Sequence, residues 1–452
     1  MSAVFLFLSY APFWQSWAIW VYFTLLYQSE KLQKPLVTTF ITWTIFHFVQ
    51  YHWLIYPLQD KLALSPYLGW FLVLVASIIH AALLSTLLLI RRYSHLACIF
   101  PVVSWIIVGL SFEWLKLIVL GGFPWITVAI TQMSNGFSWL LPIFGQLGTC
   151  ILIFFITGLF IEHRKTALLM IGCLFFLTLN PQEVKLGKSQ MFRVYQIPDN
   201  NQKGHMKYIL ALLDQSQALP KSIAVFPEGV LSIDTSWLKL IQDHVMSSQS
   251  PVLLGVNLMH SDGTITNSAA TKYDQYDKQV LVPFGEVFPP GFKWAQTFAN
   301  LNSFVAGEHD RPIVMLNQLY NVLICYDIFF PKRYLLDVDQ PIILLMDDHW
   351  YGNSWVRQYH FRQAEMVSKI LGQSLISAGT DGVTGFIENG KNMQLEIKAH
   401  GFISKQVHLY ARAFFKPIYW LESMHAILAI LGILIYSLDA IMGRKCVKSS
   451  RL

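Results

Sequence analysis

Three polar residues occupy settings suited to nucleophilic chemistry: Glu228 in IAVFPEGVL, Lys278 in YDKQVLVPFGE and Cys325 in NVLICYDIFFP. Each lies at the end of a strand-like apolar run or just before one. In chain order they offer a base, a cation and a nucleophile. A thiol of ordinary pKa is mostly protonated at neutral pH and needs such neighbours to become reactive. Cys325 is also the only cysteine in the long polar stretch. Cys98, Cys150 and Cys173 lie in or at the ends of apolar segments, and Cys446 lies in a basic tail. A lone thiol in that position is either a small buried hydrophobe or a functional nucleophile. No paired-cysteine or HExxH spacing points to a metal, and no P-loop or GxGxxG points to a nucleotide, so neither metal nor cofactor is expected.

The elements that must position these residues divide sharply by composition. Of the 452 residues 54% are hydrophobic and 13% are charged, against roughly 25% charged in an ordinary soluble domain. The deficit falls in residues 1–181 and in a run near the C-terminus. Apolar stretches of spanning length cover about 36–57, 67–90, 97–119, 141–161 and 166–181, with another at 423–442. Between them, residues 182–420 carry 21 acidic and 21 basic residues and read as a soluble domain; the whole net charge of +6 lies outside it. That is a bias of membrane flanks and argues against a nucleic-acid-binding surface. Four segments follow: membrane helices in 1–181, a catalytic domain in 182–420, a C-terminal span in 421–443 and a basic tail in 444–452.

The positive charges set the expected topology. Lys31 and Lys34 precede the first long span, Arg91 and Arg92 separate the second and third, and Arg164 and Lys165 separate the fourth and fifth. Arg444, Lys445, Lys448 and Arg451 follow the last. The alternate connections are poor in positive charge. When the chain is threaded back and forth every basic cluster falls on one side, which the positive-inside rule assigns to the cytoplasm. Residues 182–420 are then extracytoplasmic. Residues 1–27 are read as a retained anchor, either one span over Ala3–Tyr27 or a hairpin broken at Ala11-Pro12. Glu113, next to Trp114 near the end of a span, is expensive to place in lipid and is expected to face protein or water.

In the polar region, strand-like runs alternate with helical ones. Strands are expected at Met191–Ile197, Ser222–Phe226, Pro251–Asn257, Gln279–Val282, Val322–Cys325, Pro341–Met346, Leu375–Ser377 and Val383–Glu388. Helices are expected near His205–Gln217, Trp237–Met246 and Arg357–Leu371. This alternation predicts a layered α/β fold with chemistry at strand ends.

At this level of detail the chain resembles the apolipoprotein N-acyltransferases, the membrane-bound branch of the nitrilase (carbon-nitrogen hydrolase) superfamily. FEWLK followed by GGFPWITVAITQ (Gly121–Gln132) and YAPFW near the start are similar to the family's membrane part. FPEG, YDKQVLVPFGEVFPP (Tyr276–Pro290) and ICYDIFFP (Ile324–Pro331) resemble its glutamate, lysine and cysteine motifs. DDHWYG (Asp347–Gly352) resembles its Asn-Asp-x-Trp-Phe-Gly loop. The resemblance implies a polytopic helical bundle carrying a nitrilase-like α/β/β/α sandwich. It further implies Glu228 as general base, Lys278 as oxyanion-stabilising cation, Cys325 as nucleophile, Glu286 as a supporting carboxylate, and Tyr326 and Asp327 as shapers of the nucleophile's turn. Trp350 and Tyr351 are core aromatics or line the entrance for the acyl chain, and His360 is expected to be a helix-face or core residue. Asp327 stands where the family has Glu, Asp347 where it has Asn and Phe226 where it has Trp. The arginines and glutamate expected late in the helix after Tyr359-His360 are absent from MVSKILGQ.

The implied reaction moves a fatty acyl chain from a phospholipid, through a Cys325 thioester, to the N-terminal amine of a lipoprotein or peptide. The implied setting is the bacterial inner membrane, with the catalytic domain on the periplasmic side of a monomer. The departures also fit a specialised paralogue serving a conjugation or secretion apparatus. Two other readings remain at this stage: a catalytically divergent membrane assembly factor, and a membrane-anchored amidase using water as acceptor.

Overall fold

The computed structural model describes residues 2–32, 34, 36–60, 62–133, 138–177, 188–197, 205–218, 221–247, 249–294, 304–308, 311–334, 340–388, 391–394, 401–409 and 425–441. The basic tail at 444–452, Cys446 and the end of the 166–181 run lie outside them. The chain forms two compact units, one of residues 1–55, 64–183 and 415–452, the other of residues 56–63 and 184–414.

The first unit is helical: α1 (Ser2–Ser9), α2 (Ser16–Lys31), α3 (Leu36–Gln50), the start of α4 (Ile55–Asp60), α5 (Pro66–Tyr93), α6 (Leu96–Ile99), α7 (Pro101–Ile118), α8 (Leu140–Glu162) and α9 (Arg164–Leu177). Among the described residues three helical segments are long and apolar enough to cross a membrane: Pro66–Tyr93, Pro101–Gly121 and Leu140–Glu162. The N-terminal segment is the hairpin of the two alternatives, because the helix breaks over Tyr10–Gln15 and α1 packs on α2. The expected span at 36–57 is not one helix. α3 stops at Gln50, Tyr51 leaves helical geometry at φ −97 and ψ 8, and a short 3-10 turn precedes α4. At 15 residues α3 reaches roughly 22 Å, less than a hydrocarbon core of about 30 Å.

Ion pairs stitch this bundle. Glu113 is buried, as expected, and its Oε1 accepts from Lys116 Nζ at 2.8 Å and from the Val128 amide at 3.3 Å; Lys116 also donates to the Ile126 carbonyl at 3.1 Å. The GGFPW connection is thereby tied back onto α7. The basic residues flanking α2, α5 and α8 converge. Lys31 and Tyr27 both donate to Glu162, at 2.8 and 2.7 Å, and Arg92 bonds to Glu30 at 3.0 Å and to the Lys34 carbonyl at 2.7 Å.

The second unit is layered. One sheet runs β13-β1-β2-β4-β5-β6 with β3 on β4, and the other runs β12-β11-β10-β9-β8-β7. The strands of the first are β1 (Ser189–Gln196), β2 (Ser222–Val225), β3 (Leu231–Asp234), β4 (Val252–Met259), β5 (Ile265–Ala270), β6 (Gln275–Asp277) and β13 (Gly401–His408). Those of the second are β7 (Ile313–Met315), β8 (Gln318–Ile324), β9 (Ile342–Asp347), β10 (Leu375–Thr380), β11 (Gly385–Glu388) and β12 (Lys391–Gln394). In each sheet three central strands are parallel: β1, β2 and β4 in one, β8, β9 and β10 in the other. Their inner faces share one core, in which Phe192, Val194, Ile223, Val225 and Leu253 meet Val322, Ile324, Ile343, Leu345 and Ile376. The outer face of the first sheet is covered by α10 (His205–Ser216) and α11 (Thr235–His244) through Ile209, Leu213, Leu238 and Ile241. After the short α12 (Pro331–Tyr334), α13 (Val356–Leu371) packs on β10. This is the α/β/β/α sandwich. α14 (His425–Ile441) returns the chain to the helical unit.

The expected strand at Gln279–Val282 does not form. The amides that would join a ladder instead donate to side chains, Val280 N to Asp327 Oδ1 at 2.9 Å and Val282 N to Glu286 Oε2 at 2.8 Å. The strand of this region is β6, which starts four residues earlier at Gln275.

One glycine decides how the two sides of the first sheet's rim fit. A Cβ on Gly255 of β4 would lie 2.0 Å from the Pro227 carbonyl oxygen, in the turn that carries Glu228. Only a bare α-carbon lets that turn lie against the strand. Gly255→Ala is therefore expected to cost about 3 kcal/mol of stability through overpacking. A lowered unfolding midpoint in detergent checks this; an unchanged midpoint would show that the turn moves freely.

Candidate active site

The turn after β2 carries Glu228, and Gly229 at φ 59 reverses the chain directly behind it. Glu228 is 7% exposed. Its Oε1 accepts from Asn267 Nδ2 at 2.6 Å and from Lys278 Nζ at 3.2 Å, while Oε2 accepts the Asp347 amide at 2.8 Å. Every lone pair that matters is thereby aimed, as a buried carboxylate requires.

Lys278 follows β6 and is 1% exposed. Its backbone is fixed from both sides, its amide on the Asn267 carbonyl at 2.8 Å and its carbonyl on the Gly307 amide at 2.9 Å. Nζ reaches Glu286 Oε1 at 2.8 Å as well as Glu228. Burial works against the ammonium, but Glu228, Glu286 and Cys325 outweigh it and hold the lysine well above its ordinary value. Glu286 is positioned by the turn around Phe284 (φ 62), where the Phe284 amide bonds to the Val287 carbonyl at 2.7 Å.

Cys325 ends β8 in a left-handed conformation at φ 46 and opens a 3-10 turn through Phe329. Its thiol is free and 7% exposed. Non-glycine residues rarely adopt this conformation, and strained turns of this sort cluster at functional sites. Asp327 fixes the turn: Oδ2 accepts from the Ile324 amide at 3.1 Å and the Tyr276 hydroxyl at 2.8 Å, and Oδ1 accepts from Val280 N. Arg333 donates to the Tyr276 hydroxyl at 2.9 Å. The shorter aspartate therefore suits this turn, because its partners lie three residues back in the chain, on β6 and on the loop just after β6. Tyr326 is buried against Phe329 and Phe330.

The loop after β9 completes the surround. Asp347 accepts from the His349 amide and from Trp350 Nε1, both at 3.1 Å, so a carboxylate here does the work of capping two donors. Trp350 lies over Gly285, whose added Cβ would meet the indole at 3.3 Å. Tyr351 is 4% exposed, and its hydroxyl lies 3.4 Å from His360 Nδ1. Gly352 (φ 51) admits the Tyr56 ring, which an added Cβ would meet at 2.5 Å.

The structure thus brings Glu228, Lys278, Glu286, Cys325, Tyr326, Asp327, Trp350 and Tyr351 around one rim. One participant went unread in the sequence, and a second was read there only as a helix-face or core residue. Asn267 on β5 donates to both Glu228 and Glu286, the latter at 3.1 Å. His360 on α13 is fully buried rather than on an open helix face; its Nδ1 faces Asp348 Oδ1 at 2.9 Å, and its Nε2 lies 3.3 Å from the Cys325 carbonyl. Among the described residues no cluster of His, Cys, Asp and Glu is fit to hold a metal.

Two stacked sheets flanked by helices, with an acid–lysine–cysteine cluster at their strand ends and long apolar helices in the same chain, define a nitrilase-like domain carried by a membrane protein. Residues 2–159 match the family model for the apolipoprotein N-acyltransferase N-terminal domain. The chain is 26% identical over 376 residues to the apolipoprotein N-acyltransferase of Nitrosomonas europaea, covering 74% of each protein. It is 24% identical over 345 residues to that of Haemophilus ducreyi, covering 65% of this chain and 67% of the relative. A solved CN-hydrolase superfamily protein from Xanthomonas campestris aligns at 14% identity and TM-score 0.38, over 53% of this chain and 96% of its own. Over most of its length the chain is similar to apolipoprotein N-acyltransferases, with the family-model match confined to its N-terminal part.

The charges around the thiol predict a pH dependence. Burial, with Glu228, Glu286 and Asp348 working against Lys278, pushes the Cys325 thiol well above its ordinary 9.0. Above that value the unfolded chain releases a proton that the native chain keeps, so native stability falls as pH rises towards the folded value. Lys278, raised from 10.5, acts with the same sign but starting higher. In detergent the protein is expected to lose stability more steeply between about pH 8.5 and 10 than the Cys325→Ala variant. Parallel unfolding curves against pH would contradict this.

Proposed function

We propose that the protein transfers a fatty acyl chain from a phospholipid to the N-terminal amine of a lipoprotein through a thioester on Cys325. The observation that carries this reading is the buried Glu228–Lys278–Glu286 cluster beside a cysteine held in a left-handed turn. Glu228 takes the thiol proton, and the thiolate attacks the ester carbonyl. Lys278 faces the developing oxyanion with a charge already desolvated and fixed, the form in which electrostatic stabilisation is strongest. Collapse breaks the ester C–O bond, and the leaving lysophospholipid oxygen takes the proton from Glu228. The incoming α-amine then attacks the thioester and gives its proton to Glu228, the C–S bond breaks, and the proton returns to sulfur. Glu286 acts beside the reacting atoms by sharing the lysine's charge, and Tyr326 and Asp327 hold the turn. Trp350 and Tyr351 border the site.

The setting in this reading is the bacterial inner membrane, crossed several times, with the catalytic domain on the periplasmic side. The convergence of Lys31, Lys34, Arg92 and their carboxylate partners at one end of the bundle supports a common cytoplasmic face for these residues. The kinship with named acyltransferases favours this reading over an assembly factor or an amidase.

Incubation of the purified protein with a defined phospholipid is expected to add one hydroxylamine-labile acyl mass, absent from Cys325→Ala. Glu228→Gln and Lys278→Met are expected to slow its appearance at least about a hundredfold each. Intact mass spectrometry checks this, and an adduct on the alanine variant would overturn the assignment.

A further inference from the structure

Asn267 touches all three charged groups at the strand ends, two through its side chain and one through its carbonyl. It lies on β5 and is 3% exposed. Its Nδ2 donates to Glu228 Oε1 at 2.6 Å and to Glu286 Oε1 at 3.1 Å. Lys278 Nζ reaches the same two oxygens, at 3.2 and 2.8 Å. Two carboxylate oxygens and two nitrogens therefore alternate around a closed ring, in which only the lysine brings positive charge. The Asn267 carbonyl accepts the Lys278 amide at 2.8 Å and so fixes the cation's backbone as well. The orientation of the side-chain amide carries information. Reversing it would set Oδ1 against both carboxylates, whereas the orientation present leaves Oδ1 buried with no hydrogen-bond partner among the described residues. An unmade acceptor is unfavourable in the interior, and it is tolerated here because bonds to a charged oxygen are the stronger ones.

We propose that Asn267 is a positioning residue that keeps Glu228 and Glu286 ionised together beside one lysine, so that Glu228 is ready to take the thiol proton at neutral pH. This rests on the acyl-thioester reading of Cys325. In that reaction Glu228 receives the Cys325 proton as the C–S bond forms, and gives it to the leaving oxygen as the ester C–O bond breaks. A carboxylate that already shares a proton with its neighbour does neither. Two carboxylates at close quarters tend to hold one proton between them. Asn267 removes that need by giving both oxygens a donor whose hydrogen is never released. The charged and titratable groups around Glu228 are few. Lys278 follows β6, Glu286 lies on the next loop, and the field of Glu228 reaches the Cys325 thiol at the end of β8 and the Tyr351 hydroxyl after β9. Asp347 offers only its amide, its carboxylate being taken by the His349 amide and Trp350 Nε1. Without Asn267, Lys278 alone would face both carboxylates.

The test uses the full protein in detergent and Asn267→Leu, which keeps the volume and removes the donor. Formation of the acyl adduct on Cys325 from a defined phospholipid is timed by intact mass spectrometry from about pH 5 to 9. Loss of a hydrogen bond to a carboxylate is expected to move the acid limb of this profile up by about one pH unit. The adduct then forms roughly tenfold more slowly at the acid end and is slowed progressively less as pH rises. Uniform slowing at every pH, with the limb in its wild-type place, is what a merely structural role gives, and it overturns the proposal. Protonation is also followed without lipid, as the infrared carboxylic-acid band that wild type shows and Glu228→Gln lacks. That band is expected to persist to higher pH in Asn267→Leu, and an unchanged titration overturns the proposal equally. If the leucine variant lacks a cooperative melt, Asn267→Asp, which keeps the native shape, replaces it with the same expected direction and the same contradicting result. An infrared shift with no adduct in wild type would sink the acyl-transfer reading while leaving the role of Asn267 standing.

Discussion

A lysine buried to 1% exposure is the constraint around which the layered α/β unit is built. An ammonium in that position is tolerated only when paired and hydrogen-bonded. Lys278 has Glu228 and Glu286 within 3.2 Å, which leaves one negative charge in excess on the three groups. Neutral donors absorb the surplus: Asn267 bridges both carboxylates, and the Asp347 and Val282 amides take one oxygen each. These donors come from β5, from the end of β9 and from the loop after β6. Both sheets must therefore be stacked in register before the site exists. The bare Gly255 and the left-handed Gly229 bring the glutamate into this arrangement.

The same cluster acts on Cys325. Burial, with two carboxylates and Asp348 adding to it and one lysine opposing it, pushes the thiol up and favours its protonated form. In the proposed reaction that proton must move when substrate arrives, which is what a neighbouring carboxylate permits. In the helical unit a similar rule operates in different surroundings. Glu113 and Lys116 are buried together and use their remaining capacity on the Val128 amide and Ile126 carbonyl, so a polar pair becomes the clamp for an otherwise apolar connection.

Much of this was legible in the residues, for identifiable reasons. Glu228 and Cys325 come at the ends of short apolar runs and Lys278 just before one, and the layered strand–helix rhythm of 182–420 is carried by local periodicity. What escaped depends on contacts distant in sequence. Asn267 sits in TITNSAAT, a polar run that gives no strand signal and becomes β5 only by pairing with β4 and β6. β13 closes the first sheet against β1 across more than two hundred residues. Gln279–Val282 has strand-like composition, but Asp327 and Glu286 take its amides. Apolarity at 36–57 conceals the break after Gln50, since hydropathy measures lipid compatibility and not helix continuity. His360 has no sequence mark that separates a helix-face histidine from one seated under the nucleophile.

The central claim is that Cys325 holds an acyl group for delivery to an amine. The most direct measurement isolates the protein carrying a labelled acyl chain and mixes it with a diacylglyceryl peptide bearing a free N-terminal amine. The account predicts that the label moves to that amine and the Cys325 thiol is regenerated, faster than the label is lost as free fatty acid. Release of the label only as fatty acid, at a rate indifferent to the peptide, would contradict it.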